Sequence, residues 1–134
     1  MARAQGRISG AAGTWDDVFN AAAPEVAALA RSVRALILRL HPECVEVARP
    51  GDRAVSFGHG PAKMKEAYAY LMPQVSWLNL GFYHGTGLPD PASRLEGTGK
   101  AFRHVKLRRA GDLSPAVEAL LRAAISEQAR RLGL

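Results

Sequence analysis

The spacing of the hydrophobic residues changes twice along the chain, and these changes constrain the fold most strongly. A period of three to four first predicts an amphipathic helix with one apolar stripe, formed by Val26, Leu29, Val33, Ile37 and Leu40. From Glu43 the period changes to two, which is typical of half-buried strands. A period of three to four returns after Ser114 and Pro115, an N-cap residue followed by a first-turn proline, and predicts a second helix.

Residues on the other side of this helix and at its ends give further predictions. Arg31, Arg34 and Arg39 lie off the stripe and are expected to face solvent. Pro42 disfavours helical geometry at the residue before it, so the helix should end near His41. Thr14 followed by Asp17 predicts a loose capping box at the start of a short preceding helix.

Four or five strands are predicted between the two long helices. Val45 and Val47 alternate with other residues, and the turn sequence Pro50–Gly51–Asp52 leads into a second strand at 54–57. The segment 63–72 is ambiguous, because its composition allows a helix while its alternation favours a strand in its second half. Further strands are expected at 75–83 and 102–108. In the first of these, one face should carry Leu78, Leu80 and Phe82, and the other Val75, Trp77, Asn79, Gly81 and Tyr83.

The order helix, strands, helix predicts an α+β fold. Consecutive strands with short connections imply an antiparallel sheet, with an N-terminal and a C-terminal helix packed on it. A length of 134 residues corresponds to one compact domain, which we expect over 13–134. Residues 1–12 are small and polar without a hydrophobic period, and they are predicted to form a disordered lead-in.

Composition limits the cellular locations and the classes of partner that we expect for this chain. The formal net charge is +6, but the arginines are scattered along the chain, which disfavours specific nucleic-acid binding. No apolar run reaches the roughly 20 residues that span a bilayer, and no secretory signal is recognisable, so we expect no membrane association. The single cysteine, Cys44, allows no intramolecular disulfide and fits a cytoplasmic location.

The stretch 97–104 is the main candidate for a binding site. Its spacing does not fit a Walker A loop, because Arg94 and Ala101 occupy two of the required positions. Two glycines can nevertheless let backbone amides converge on an anion, and the alternative is a tight turn with solvated cations. Arg103 is expected on the core side of the last strand, where it requires a carboxylate or a carbonyl partner, and Glu46 and Glu96 are the candidate carboxylates. The same alternation predicts that His104, Lys106 and Arg108 face outward. The predicted site contains Gly97, Thr98, Gly99, Lys100, Arg103 and His104, with Tyr83 and His84 from the preceding loop.

Other side chains give weaker indications. His59 and His84 follow strands and could meet at one end of the sheet, but no histidine has a recognised metal-ligand spacing, and no metal or cofactor is expected. The candidate nucleophiles lack a surrounding motif; they are Cys44, Ser56 and Ser76. No catalytic motif is found, so the sequence favours a non-enzymatic protein and leaves catalysis open. The aromatic residues Trp77, Tyr83, Tyr68 and Tyr70 form either a ligand wall or a sheet face covered by a helix. Core packing is the favoured reading for Trp77.

Two motifs suggest a family. LNLGFYHG (Leu78 to Gly85) and LEGTGKAFRHVKL (Leu95 to Leu107) closely resemble the bacterial family called domain of unknown function 1801, or YdhG-like, and the resemblance covers roughly residues 25–127. It implies a compact α+β domain with helices around an antiparallel sheet, and no general reaction. One branch of the family is linked to iron delivery in the manner of frataxins, which bind iron through an acidic first helix and neighbouring strand. This chain departs from that pattern, because its first long helix carries three arginines.

These observations favour a non-enzymatic binding domain for a small anionic ligand or partner. Two alternatives come from other classes of protein. One is a frataxin-like intracellular iron or metal chaperone, as the resemblance implies. The other is a homodimeric structural or interaction module, since exposed sheet faces often serve as interfaces.

Overall fold

The computed structural model describes residues 13–134 and confirms the α+β fold, with a sheet and both flanking helices in one domain. The predicted lead-in at 1–12 lies outside the described residues. The helices are α1 (Trp15–Phe19), α2 (Pro24–Leu40), α3 (Lys63–Glu66) and α4 (Pro115–Arg131). The strands are β1 (Val45–Arg49), β2 (Ala54–Gly58), β3 (Ala67–Pro73), β4 (Leu78–Phe82) and β5 (Arg103–Leu107). Short 3₁₀ turns occur at Pro50–Asp52, Gly85–Gly87 and Ala110–Asp112.

The five strands form one antiparallel sheet in the order β1-β2-β3-β4-β5, so each strand pairs with its neighbour in the chain. The register shifts once, between Phe57 and Gly58, where Tyr68 is an extra residue of β3 without a partner in β2. A bulge of this kind changes which side of the sheet the following side chains reach. Tyr68 consequently joins the helix-covered core, whereas Ala67 and Tyr70 lie on the opposite face.

Helices α1, α2 and α4 cover the first face of the sheet. The predicted stripe of α2 is buried, except that Leu40 at its end is half-buried. Helix α4 begins at the predicted cap, where the Ser114 hydroxyl accepts from the Val117 amide. It buries Val117, Leu120, Leu121 and Ala124. The capping box of Thr14 and Asp17 is also confirmed, and it satisfies amides that the first turn of α1 would leave unpaired.

Arg34 does not face solvent as predicted. Its Nε donates to Glu46 Oε1 at 2.6 Å, which joins α2 to the first strand. Glu46 lies between Cys44 and Ala48, and both of these are buried in the helix-covered core. A carboxylate on that face requires a cationic partner, and the nearest residue of α2 supplies one.

Strand β4 has the predicted alternation but is shorter than predicted. Leu78, Leu80 and Phe82 are fully buried on the helix-covered face. The residues before Leu78 form a turn instead of a strand, in which the Gln74 amide donates to the Trp77 carbonyl at 2.9 Å. Val75 in that turn is 90% exposed.

The ambiguous segment 63–72 contains both structures. Its first four residues form α3, and the strand predicted for its second half is confirmed as β3. Within residues 13–134, no helix is long and apolar enough to cross a membrane.

A second, smaller cluster of buried residues lies on the face opposite the helices. It contains Ala54, Ala67, Tyr70 and Tyr83, with Met72 packed against it, and no helix residue among 13–134 belongs to it. The Tyr70 ring lies over Gly81, where a Cβ atom would come within 1.9 Å of Tyr70 Cζ. The absence of a side chain at position 81 therefore allows the tyrosine ring to approach the sheet.

We expect Gly81→Ala to lower the free energy of unfolding by about 1–3 kcal/mol, because the added methyl group overpacks the site under Tyr70. Urea unfolding at neutral pH measures the change. Gly111→Ala is the matched control, since a Cβ there meets nothing within 4 Å. A loss that is equally large in a Tyr70→Ala background would show that this contact is not the cause.

Candidate functional site

The glycine-rich stretch forms an exposed loop that leads into β5. Gly97 has a φ of +126°, a conformation that favours glycine, and the residues from Gly97 to Lys100 are exposed. Arg103 Nη1 donates to the carbonyl oxygens of Gly99 at 2.7 Å and Phe102 at 2.6 Å. Carbonyl groups of this loop thus face a cation of the same chain.

Of the two kinds of partner predicted for Arg103, the structure has carbonyl oxygens, and the two candidate carboxylates bond elsewhere. Glu46 is bonded to Arg34, and Glu96 lies 3.7 Å from the Lys106 Nζ atom. Arg103 lies opposite Phe82 in the register, on the helix-covered side as predicted. Because the loop folds back over the start of β5, its carbonyl oxygens satisfy the guanidinium locally.

The remaining predicted site residues separate around the sheet. The loop at 84–87 does meet the glycine-rich stretch, since the Thr86 amide donates to the Ala101 carbonyl at 3.1 Å. However, His84 Nε2 lies 2.7 Å from the Met64 carbonyl, beside α3. His104 lies opposite Gly81 on the face away from the helices, and Tyr83 is buried on that same face. The structure brings the two loops together and places His104 and Tyr83 on one face, but it directs His84 toward α3.

The face opposite the helices carries a group of polar and cationic side chains. The sequence predicted the outward side of each strand, but it did not predict that these two sets of residues meet. We call this group the cationic sheet face and define it by Trp77, Asn79, His104, Lys106 and Arg108. Directly opposed residues of antiparallel strands share a face, and the register pairs Asn79 with Lys106 and Gly81 with His104. Residues two apart in β5 continue the same face, so Arg108 follows Lys106.

Trp77 is the centre of the cationic sheet face. Core packing was expected for it, but its ring is half-buried and belongs to neither buried cluster. Its Nε1 donates to Asn79 Oδ1 at 2.8 Å. The Lys106 Nζ atom lies 5.1 Å from the ring centroid and the Arg108 Cζ atom lies 5.3 Å from it, which are cation–π distances.

Three aromatic rings continue this face toward its other end. The Tyr70 and Tyr83 centroids are 5.1 Å apart, and Phe102 stands perpendicular to Tyr83 at 5.3 Å. Phe102 is 39% exposed, whereas both tyrosines are buried. Burial raises the pKa of Tyr70 and raises that of Tyr83 to about 12, so neither carries a negative charge near neutral pH. Tyr68, the fourth residue of the predicted aromatic group, lies on the other face because of the bulge.

Glu96 is the acidic residue that pairs with the cationic sheet face. Its bridge to Lys106 is long, and the two side chains are 53% and 33% exposed respectively. Exposed pairs of this kind contribute about 0–1 kcal/mol, so a stronger anion can replace Glu96 at low cost. The cationic sheet face is therefore positive at neutral pH.

A depression of about 640 Å³ lies at one end of the sheet, between α1 and the two strand connections. Its lining includes Pro50, Arg53, Met72 and Val75. Met72 pairs with Asn79 across the sheet, so the depression adjoins the cationic sheet face.

The histidines meet in an unexpected combination. The sequence allowed His59 and His84 to meet at one end of the sheet, and the structure places the His59 ring 4.5 Å from that of His41. Gln128 Oε1 accepts from the backbone amide of His59 at 3.2 Å and lies 2.8 Å from its Nδ1, and His41 Nδ1 lies 2.8 Å from the Tyr68 hydroxyl. Gln128 is fully buried, and its Nε2 has no hydrogen-bond partner within residues 13–134. The described residues contain no group of three or more side chains suited to a metal ion.

The charge state of this cluster follows from its burial. Burial, with a smaller contribution from His59, lowers the pKa of His41 to about 4, so its imidazole is neutral at pH 7. Burial also raises the pKa of the Tyr68 hydroxyl, which stays protonated and can donate to a neutral imidazole. Burial and the nearby Glu46 raise the pKa of Cys44 to about 12, so this thiol is not a nucleophile at neutral pH.

Comparison with known proteins adds no assignment, since the chain matches no family model, no curated protein and no solved structure.

We expect the protein to lose stability as the pH falls from about 6.5 to about 4. The folded state holds the pKa of His41 below its unfolded value, so His41 favours folding above pH 6.5 and opposes it once the unfolded chain binds a proton. Because His41 is partly exposed, we expect a contribution of about 1–2 kcal/mol. Urea unfolding between pH 4 and 7.5 measures it.

His41→Asn is the informative variant for this pH dependence, since it keeps a polar side chain near Tyr68 but does not titrate. Its stability should fall less steeply across that pH range than that of the wild type. Identical slopes for the two proteins would mean that other groups cause the dependence. His104→Asn serves as a control, because His104 lies outside the cluster.

Proposed function

We propose that this chain is a non-enzymatic binding domain that takes up an anionic ligand on the cationic sheet face. The observation that supports this most directly is the position of Lys106 and Arg108, each within about 5 Å of the Trp77 ring centroid. Two cations beside a half-buried aromatic ring provide both charge and a flat apolar surface. Ligands that combine negative charge with a planar or apolar part fit such a surface.

The cations of this face are available to a ligand. Within residues 13–134, the Arg108 side chain makes neither a hydrogen bond nor a salt bridge, and Arg108 is exposed. Lys106 has Glu96 as a partner, at the long distance given above. By contrast, Arg34 and Arg103 are engaged with a carboxylate and with carbonyl oxygens. The proposed site therefore uses cations whose internal contacts are a long salt bridge and the Trp77 ring, and not short bonds to oxygen atoms.

A binding role, in place of a catalytic one, is supported by the state of the candidate nucleophiles. Cys44 is fully buried, and its pKa is raised to about 12. Ser56 is also buried and accepts from Arg49 Nε at 2.9 Å. A nucleophile needs access to substrate, and burial denies it to both residues. Ser76, the third candidate, is exposed, but no hydrogen bond joins its hydroxyl to a base within residues 13–134.

The site predicted from the sequence is retained as a proposal in a modified form. His104 belongs both to the glycine-rich stretch and to the cationic sheet face, so the two can contribute to one surface. Lys100 lies exposed in the loop before β5 and can extend the positive charge. Membership of the domain of unknown function 1801 family, the iron-chaperone alternative and the homodimer alternative stay predictions.

The proposed function predicts that tripolyphosphate binds the wild-type protein at low ionic strength. We expect Lys106→Ala combined with Arg108→Ala to weaken binding about tenfold, because two charge-assisted contacts are lost. Isothermal titration calorimetry measures the affinities. Lys100→Ala in the same assay determines whether the glycine-rich loop contributes.

The control variant combines Arg31→Ala and Arg39→Ala, two exposed cations of α2 on the opposite side of the sheet. It removes the same net charge, so its affinity should stay within about twofold of the wild type. Equal weakening by both double variants would assign binding to net charge alone and contradict the proposed site. Absence of binding by the wild type would contradict the proposed function.

A further inference from the structure

Strand β5 arranges its outward side chains in a line along the cationic sheet face. Phe102, His104, Lys106 and Arg108 are two residues apart in turn, so at about 3.4 Å per residue they extend over about 20 Å. The line begins with a partly exposed ring and ends at two cations beside Trp77. An aromatic ring therefore lies near each end of a row of basic side chains, and these groups do not converge on a single point.

This arrangement fits a polymer better than a small ion. A small anion is held best where several donors converge in an enclosed site. Here the positive groups are spread along a strand, and Trp77 and Phe102 keep part of their ring surface exposed at opposite ends. A ligand that fills the whole face must carry repeated negative charges and repeated flat groups.

Single-stranded nucleic acid has both properties. Proteins that bind single strands without sequence preference combine a positive surface along the backbone with aromatic side chains on which bases stack. Duplex DNA hides its base faces, and reading its major groove requires an inserted helix or ribbon. The cationic sheet face is formed by strands within a sheet, and it carries a half-buried indole with a lysine over its ring and the partly exposed ring of Phe102.

We propose that the anionic ligand is a single-stranded nucleic acid, with bases stacked on Trp77 and Phe102 and phosphates contacted by His104, Lys106 and Arg108. This inference rests on the proposed function and specifies its ligand. Binding is independent of base sequence, because stacking surfaces and exposed cations do not read base edges. The sequence placed these cations on one side of the last strand but did not bring an aromatic ring to them, since Trp77 and Lys106 become neighbours only through the pairing of β4 with β5.

The first test measures affinity by fluorescence anisotropy with labelled 12-nucleotide oligouridine and oligothymidine. Trp77→Leu keeps an apolar side chain but removes the stacking surface, and we expect it to weaken binding about 5- to 100-fold. Lys106→Ala combined with Arg108→Ala should reduce the slope of log affinity against log salt by about 1.4, since each phosphate contact contributes about 0.7. The Arg31→Ala, Arg39→Ala variant should leave both quantities close to the wild-type values. Thermal unfolding of each variant checks that it is folded.

A second test uses the two tryptophans as matched probes. Trp15 stacks on Phe19 in α1 and has Arg34 over its ring, on the opposite side of the sheet from Trp77. Trp15→Phe leaves Trp77 as the sole tryptophan, and oligouridine should quench its emission. Trp77→Leu leaves Trp15 as the sole tryptophan, and oligouridine at concentrations that saturate the weaker binding of this variant should leave its emission unchanged.

The outcomes separate the inference from the proposed function. If tripolyphosphate binds through Lys106 and Arg108 but oligonucleotides bind no more tightly and are insensitive to Trp77→Leu, the inference is wrong and the proposed function stands. A duplex that binds as tightly as the single strand also overturns the inference. If neither tripolyphosphate nor an oligonucleotide binds, both proposals fail. Preferential single-strand binding that requires Trp77, with quenching confined to Trp77, supports the inference.

Discussion

Burial of Leu80 and Val105 as a directly opposed pair determines the register of β4 and β5, and the cationic sheet face depends on that register. Both residues face the helices, so their neighbours Asn79 and Lys106 must lie on the other side of the sheet. A slip of one residue would place a lysine against the helices and a leucine in solvent. The cost of burying an unpaired ammonium group excludes that arrangement. The hydrophobic core thus positions the candidate ligand-binding cations without touching them.

Small residues on the face opposite the helices allow aromatic rings to pack closely against the sheet. Tyr70 lies over Gly81, and Tyr83 packs among Tyr70, Ala54 and Ala67. Larger side chains at these positions would lift the rings away from the sheet and break their mutual contacts. Phe102 completes the group from the start of β5, where its ring remains partly exposed. The face therefore combines a rigid aromatic base with a ring and an indole that a ligand can reach.

The two polar regions of the molecule have opposite electrostatic character. The cluster of His41, His59, Tyr68 and Gln128 is largely withdrawn from solvent, and burial keeps His41 uncharged at neutral pH. The cationic sheet face keeps its charges in contact with solvent, where a ligand can exchange with water and with Glu96. The first region links the ends of α2 and α4 to β2 and β3 through hydrogen bonds. The cationic sheet face has few hydrogen bonds and salt bridges of its own, and we assign ligand binding to it for this reason.

The sequence by itself determined the parts of this protein that depend on local spacing. The helical stripe of α2, the cap of α4, the alternation of β4 and the antiparallel α+β fold follow from residues within a few positions of one another. Tertiary structure decided which distant residues meet. Arg34 turns toward Glu46, His59 meets His41 instead of His84, and Trp77 joins Lys106 and Arg108. Such contacts depend on strand register, on a bulge and on how a helix lies across the sheet, and hydrophobic periodicity specifies none of these.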